Sequence, residues 1–138
     1  MGAWGTGIFE DDTAYDVLAS LMLADPMEQM EEWFANVKDT DYLEYTDAQC
    51  VLLSAAVIDA ALNGTVYPCD DEETLAAVVA VVKGAKPKRM AGIATMLLER
   101  ILGDSSELRE LWEENEELYP MWRRGIEDLE ARLDAISA

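Results

Sequence analysis

Thr46-Asp47-Ala48-Gln49-Cys50-Val51-Leu52-Leu53-Ser54-Ala55-Ala56-Val57-Ile58-Asp59-Ala60-Ala61-Leu62-Asn63-Gly64 is the stretch that decides the fold. Its apolar residues keep to no single stripe, because Leu52, Leu53, Ala55, Ala56, Val57, Ile58, Ala60 and Ala61 encircle a helix. A helix that is apolar all round is buried on several sides, so this one belongs at the centre of a bundle. Thr46 and Gln49 have the spacing of a capping box, in which two side chains satisfy two orphan backbone amides reciprocally. The helix is expected from Asp47 to about Leu62, with Asn63-Gly64 as its left-handed stop. Asp59 lies inside the apolar run. A carboxylate there is expected at the edge of the core, paired with a buried hydroxyl or an arginine.

On the N-terminal side, two amphipathic helices are expected. Asp11 or Asp12 can cap the first, whose core face is Ala14, Val17, Leu18, Leu21 and Met22. Pro26 separates it from the second, which presents Met27, Met30, Phe34 and Val37, with Trp33 beside them. Residues 38–46 read as a connector of low helical periodicity.

On the C-terminal side, Asp70 and Glu73 can cap a fourth helix over the run Leu75–Val82, which is apolar enough to be buried. Lys83, Lys86, Lys88 and Arg89 follow around Pro87 and read as a solvated basic loop. A fifth helix carries Met90, Ile93, Ala94, Leu97, Leu98, Ile101 and Leu102 on one face. Asp104-Ser105-Ser106-Glu107 opens a sixth, with Leu108, Leu111, Trp112 and Leu118 inward and Glu110, Glu113, Glu114, Glu116 and Glu117 outward. Pro120 opens the last helix, where Trp122, Ile126, Leu129, Leu133 and Ile136 form a narrow stripe at spacings of four and three. The stripe suits either the domain's own core or a dimer seam. The fold class that results is all-α: one domain, residues 1–138, a bundle of six to seven short helices. The irregular Gly/aromatic segment at its N-terminus is expected to pack on it, with Trp4 and Phe9 buried.

Charge is the unusual feature of the composition. Asp and Glu outnumber Lys and Arg by 29 to 10, a formal net charge of −19. That exceeds the roughly 2–8 charges that keep a small domain soluble. A field of this sign disfavours nucleic acid and anionic membranes, and attracts cations and basic protein surfaces. No histidine occurs, so a catalytic triad or a Cys-His pair is impossible within the chain. Cys50 and Cys69 alone make neither a disulfide framework nor a zinc site, and are expected as free thiols in a cytoplasmic protein. Gly5-Thr6-Gly7 lacks the third glycine and the preceding strand of a dinucleotide site. Met1-Gly2 with Thr6 matches a myristoylation pattern, but its acidic neighbours oppose membrane binding. No stretch nears the roughly 20 apolar residues of a membrane span. The chain is therefore expected to be no enzyme and to need no cofactor and no metal. Carboxylates of the leader (Glu10, Asp11, Asp12) and of the connector (Asp39, Asp41, Glu44) can at most hold a hard cation through oxygen.

The leader Met1-Gly2-Ala3-Trp4-Gly5-Thr6-Gly7-Ile8-Phe9, followed by Asp12, Ala14 and Asp16, resembles the start of the bacterial "domain of unknown function 4259" family. Tyr42-Leu43-Glu44, the run Ser106–Glu113, Trp122 and the run Asp128–Leu133 resemble it as well, so the likeness spans the chain. Trp4, Gly5, Gly7, Phe9, Asp12, Trp112 and Trp122 are its signature positions, read as structural. Val17 departs from the pattern, which has a tryptophan after the aspartate. The resemblance implies a small helical bacterial protein of the cytoplasm with no established activity, and it carries no catalytic residue over.

The leading expectation for function is a non-catalytic protein that binds and regulates a basic protein partner, in the manner of an immunity protein or antitoxin. Glu110, Glu113, Glu114, Glu116 and Glu117 are its candidate surface. One alternative is a small-ligand or cation-binding domain built on the leader and connector carboxylates. Another is a homo-oligomeric structural protein joined through the last helix, although a monomer or weak homodimer is expected.

Overall fold

A computed structural model describes residues 7–9, 12–23 and 25–137 of the chain. Among them run seven α-helices: α1 (Asp12–Leu23), α2 (Pro26–Lys38), α3 (Tyr45–Asn63), α4 (Glu72–Gly84), α5 (Ala91–Ile101), α6 (Glu107–Glu113) and α7 (Tyr119–Ser137). A single 3-10 turn, Pro87–Met90, leads into α5. The described residues contain no strand, only an isolated parallel bridge between Leu43 and Ser106. The all-α bundle is as the periodicity predicts.

α3 is the axle. Every residue from Ala48 to Asp59 is buried, and α1, α2, α4, α5, α6 and α7 all pack on it. By length and composition alone α3 could cross a membrane, which the sequence reading missed, yet 72% of its apolar window lies inside the bundle. The encircling apolar surface is matched by encircling neighbours. Its stop is as expected: Gly64 takes φ 72° and donates its N–H to the Ala60 carbonyl.

Its start is different. α3 begins at Tyr45, two residues early, and its N-cap Glu44 makes no side-chain capping bond. The Glu107 carboxylate, 62 residues away, accepts the Tyr45 N–H at 2.7 Å instead. A charged acceptor from another helix replaces the expected Thr46–Gln49 box. Gln49 instead donates to the Tyr45 hydroxyl at 3.3 Å. At α4 the cap shifts one residue from the expected Asp70, with Asp71 accepting from Thr74 N at 3.2 Å. Asp25 caps α2 through Met27 N at 3.0 Å, with Pro26 in the first turn.

The last helix answers its own ambiguity. Trp122, Ile126, Leu129 and Leu133 are buried, and α7 packs chiefly along α5. These four residues of the stripe pack on the bundle's own core, while Ile136 at its end is half-buried.

Two expectations of burial fail. Met22 is 49% exposed at the end of α1, and in α4 only Val78 and Val82 are buried. The helix over Leu75–Val82 is real, but it lies at the edge of the bundle with one apolar side uncovered. Lys83, Lys86, Lys88 and Arg89 are exposed beyond it, with Arg89 paired to Glu31 of α2.

Candidate functional site

The acidic run of 110–117 does not form one helical face. α6 ends at Glu113, and Glu114, Glu116 and Glu117 lie exposed in the link to α7. The Asn115 side chain stops continuation by accepting the Leu118 N–H at 3.1 Å, which starts the next helix. Glu113 is held by Arg109 at 2.9 Å, and the same guanidinium reaches Asp104 at 2.9 Å.

Glu110 belongs to a different group. Tyr42 donates its hydroxyl to Glu110 at 2.9 Å. The bridge that makes this happen runs through Leu43, whose N–H donates to the Ser105 carbonyl at 2.8 Å and whose carbonyl accepts from Glu107 N at 2.9 Å. Leu43 is itself buried, an anchor that pins the connector against the start of α6. Glu44 of the connector and Glu107 and Glu110 of α6 thereby gather around Tyr42. Partial desolvation, the bond to Glu110 and the charges of Glu110, Glu107 and Glu44 push the Tyr42 hydroxyl up to about 12. It stays a neutral donor at any physiological pH. Two acidic segments that sequence reading kept apart form one surface. The signal available beforehand was Leu43, an aliphatic residue stranded among acids in a connector.

The signature residues gather elsewhere. Trp4 and Gly5 lie outside the described residues, as do Glu10 and Asp11, while Asp12 opens α1 and is exposed. Gly7 lines a cavity of about 300 Å³ whose walls include Gln49, Tyr67, Trp112, Trp122 and Arg132. The two indoles stack, with ring centroids 5.8 Å apart and planes 14° apart. Phe9 is buried and sets its edge against Tyr67, at 5.5 Å and 65°.

Behind that wall lies the buried acid. Asp59 is fully buried, and its two oxygens accept from Asn63 Nδ2 at 2.7 Å, Tyr67 Oη at 2.6 Å and Arg132 Nε at 3.0 Å. Arg132 also donates through Nη2 to Tyr67 Oη at 3.2 Å, closing a ring of three side chains. Burial pushes the Asp59 carboxyl up, but the bonds from Asn63, Tyr67, Thr65 and Arg132 outweigh it and hold it below the usual aspartate range. Burial and the Asp59 charge push the Tyr67 hydroxyl up. These shifts keep Asp59 ionised and Tyr67 protonated, as the hydrogen bond between them requires. The expected pairing of Asp59 with a hydroxyl and an arginine is what the fold provides.

Among the described residues no three acids or cysteines converge as metal ligands, so Asp39, Asp41 and Glu44 form no ligand set. Cys50 and Cys69 are free, and burial followed by the Asp47 charge pushes the Cys50 thiol up to about 11.

A family model described as a domain of unknown function matches residues 2–125 of the chain. The chain belongs to the DUF4259 family. The matched span of this DUF4259 chain takes in Tyr67, the stacked tryptophans and the Tyr42 surface. No match to this DUF4259 chain was found among curated proteins or among solved structures.

Proposed function

We propose that this DUF4259 protein is a non-catalytic binding protein whose acidic Tyr42 face engages a basic protein and regulates or neutralises it. The observation that carries this reading is the junction of Leu43 with Ser106, which brings Glu44, Glu107 and Glu110 around one tyrosine hydroxyl. Several carboxylates on adjoining rigid elements offer a cationic partner charge-assisted hydrogen bonds at little cost in ordering. The overall charge of −19 adds long-range attraction for the same partner. The test is capture of host proteins on the immobilised chain, followed by affinity measurement with the captured partner at low and high salt. Glu44→Lys/Glu110→Lys is expected to weaken binding at least about tenfold and to flatten its salt dependence. If a control reversing two exposed acids away from this face, Glu28→Lys/Asp134→Lys, weakens binding equally, only net charge matters and the reading fails.

A second reading is favoured by the cavity beside Trp112 and Trp122. Its stacked indoles, with Gln49 and Arg132 in the wall, suit a small ligand with an aromatic or apolar body and a polar end. Small-ligand binding would then use this cavity and not the leader and connector carboxylates. A thermal-shift screen across metabolites is expected to return ligands whose stabilisation disappears in Trp122→Phe/Gln49→Ala. A flat response across the screen removes this reading.

A further inference from the structure

The two failures of predicted burial lie on one face. Ala76, Ala77 and Ala80 of α4 are exposed, Val81 is 52% exposed, and beside them Met22 and Leu23 at the end of α1 are 49% and 88% exposed. Between them runs a groove of about 440 Å³ whose walls are apolar, Met22, Pro26, Ala77, Val81 and Ala85 among them, except for Asp25. Asp25 is the one charge in that lining, and its carboxylate is engaged in capping α2; on a chain this acidic, a face so poor in charge is the exception. Contiguous exposed apolar surface of this kind marks an interaction site.

The charges at its two ends say what fits. Asp70, Asp71, Glu72 and Glu73 stand at the N-terminal end of α4, and Lys83, Lys86 and Lys88 stand at its C-terminal end, with no charged residue in Leu75–Val82 between them. Glu73, Ala76, Ala77, Ala80, Val81 and Gly84 recur at spacings of three and four, so they share one side of the helix. A second α4 laid antiparallel across this side meets its own complement at both ends: acids against lysines, and alanine against alanine in the middle. A parallel copy would set like charge on like. An acidic partner would be repelled by the first turn, and a basic one by the lysines.

We propose that a second copy of this chain docks here, the two α4 helices packing antiparallel about a two-fold axis that passes between Ala77 and Ala80. The arrangement is isologous, so Ala77 of each copy meets Ala80 of the other and Ala76 meets Val81. The alanines allow close approach of the helix axes, and the flanking Met22 and Leu23 close over the partner's helix. Two copies that each carry −19 repel, and this face, with a single acid in its groove and complementary ends, is where that repulsion is smallest. The dimer is accordingly weak and shares no residue with the Tyr42 face, so it stands or falls separately from the proposed function.

Sedimentation velocity on the full chain, from about 10 μM to about 1 mM, reads the equilibrium directly. The unsubstituted chain is expected to shift toward twice the monomer mass over that range. Ala77→Glu and Ala80→Glu, both at exposed positions, are expected to keep the helical circular dichroism and to stay monomeric throughout. Glu73→Lys and Lys83→Glu are each expected to weaken association at least about tenfold, and the double reversal to restore it, which only the antiparallel arrangement predicts. An unsubstituted chain that stays monomeric at the highest concentration overturns the proposal. So does a dimer indifferent to Ala77→Glu, or one in which the double reversal is no better than the singles.

Discussion

Arg132→Ala is expected to cost about 2 kcal/mol of stability, less than the roughly 3–5 kcal/mol for breaking a fully buried ion pair, because the Arg132 side chain is 37% exposed although Asp59 is buried. The reason is what the substitution leaves behind. Asp59 is fully buried, and without the guanidinium its charge is held only by the bonds from Asn63, Tyr67 and Thr65. The Tyr67 hydroxyl loses a donor at the same moment. Replacing both ends by apolar groups, Asp59→Leu/Arg132→Met, is expected to cost less than Arg132→Ala alone, because no unpaired charge then remains in the core.

The pH dependence gives an independent check. The folded carboxyl sits below its usual value, so as pH falls the unfolded chain takes up the proton first. The stabilisation is present above the ordinary aspartate range, near about pH 4, and is lost as pH falls toward the lower folded value. In Arg132→Ala the carboxyl moves up, because burial is then less opposed. The gap between parent and variant should therefore narrow as pH falls through the ordinary aspartate range, about pH 4, toward the lower folded value of the parent in urea titrations. A gap that stays constant down through and below that range means Arg132 acts by packing alone.

The sequence carried the helices and the partner types of Asp59 because both follow from local rules. A run like Cys50–Leu62 cannot be solvated on any side, and a lone acid within it needs a donor. What it did not carry were features settled between elements distant in the chain. Thr46 and Gln49 satisfy the spacing of a capping box, yet the Glu107 carboxylate reaches Tyr45 N from another helix and takes the role. A charged acceptor aimed at a helix N-terminus outcompetes a local hydroxyl. The same junction assembled the Tyr42 face from two segments that periodicity treats separately. Burial of α4 failed for a related reason. Composition reports how apolar a helix is, but whether neighbours exist to cover every side depends on where the bundle ends, and α4 stands at its edge.

Phe9→Ala carries the other large expected effect, about 3–5 kcal/mol, the scale for truncating a buried aromatic ring. Phe9 is 1% exposed although it lies only three residues before α1, outside any regular element. Its ring packs edge-on against Tyr67 within the core. Tyr67 in turn donates to Asp59, so the ring that packs on Phe9 also carries the hydroxyl that satisfies the buried acid. Phe9→Ala and Arg132→Ala should therefore be coupled. In a double-mutant cycle read by chemical denaturation, the two losses are expected to fall short of additivity by about 0.5–3 kcal/mol, since either change frees Tyr67. Phe9→Leu, which keeps most of the volume, should cost no more than about 1.5 kcal/mol. A loss below about 1 kcal/mol for Phe9→Ala would detach the family's N-terminal signature from folding altogether. Strict additivity with Arg132→Ala would leave the ring as ordinary core and separate it from the Asp59 network.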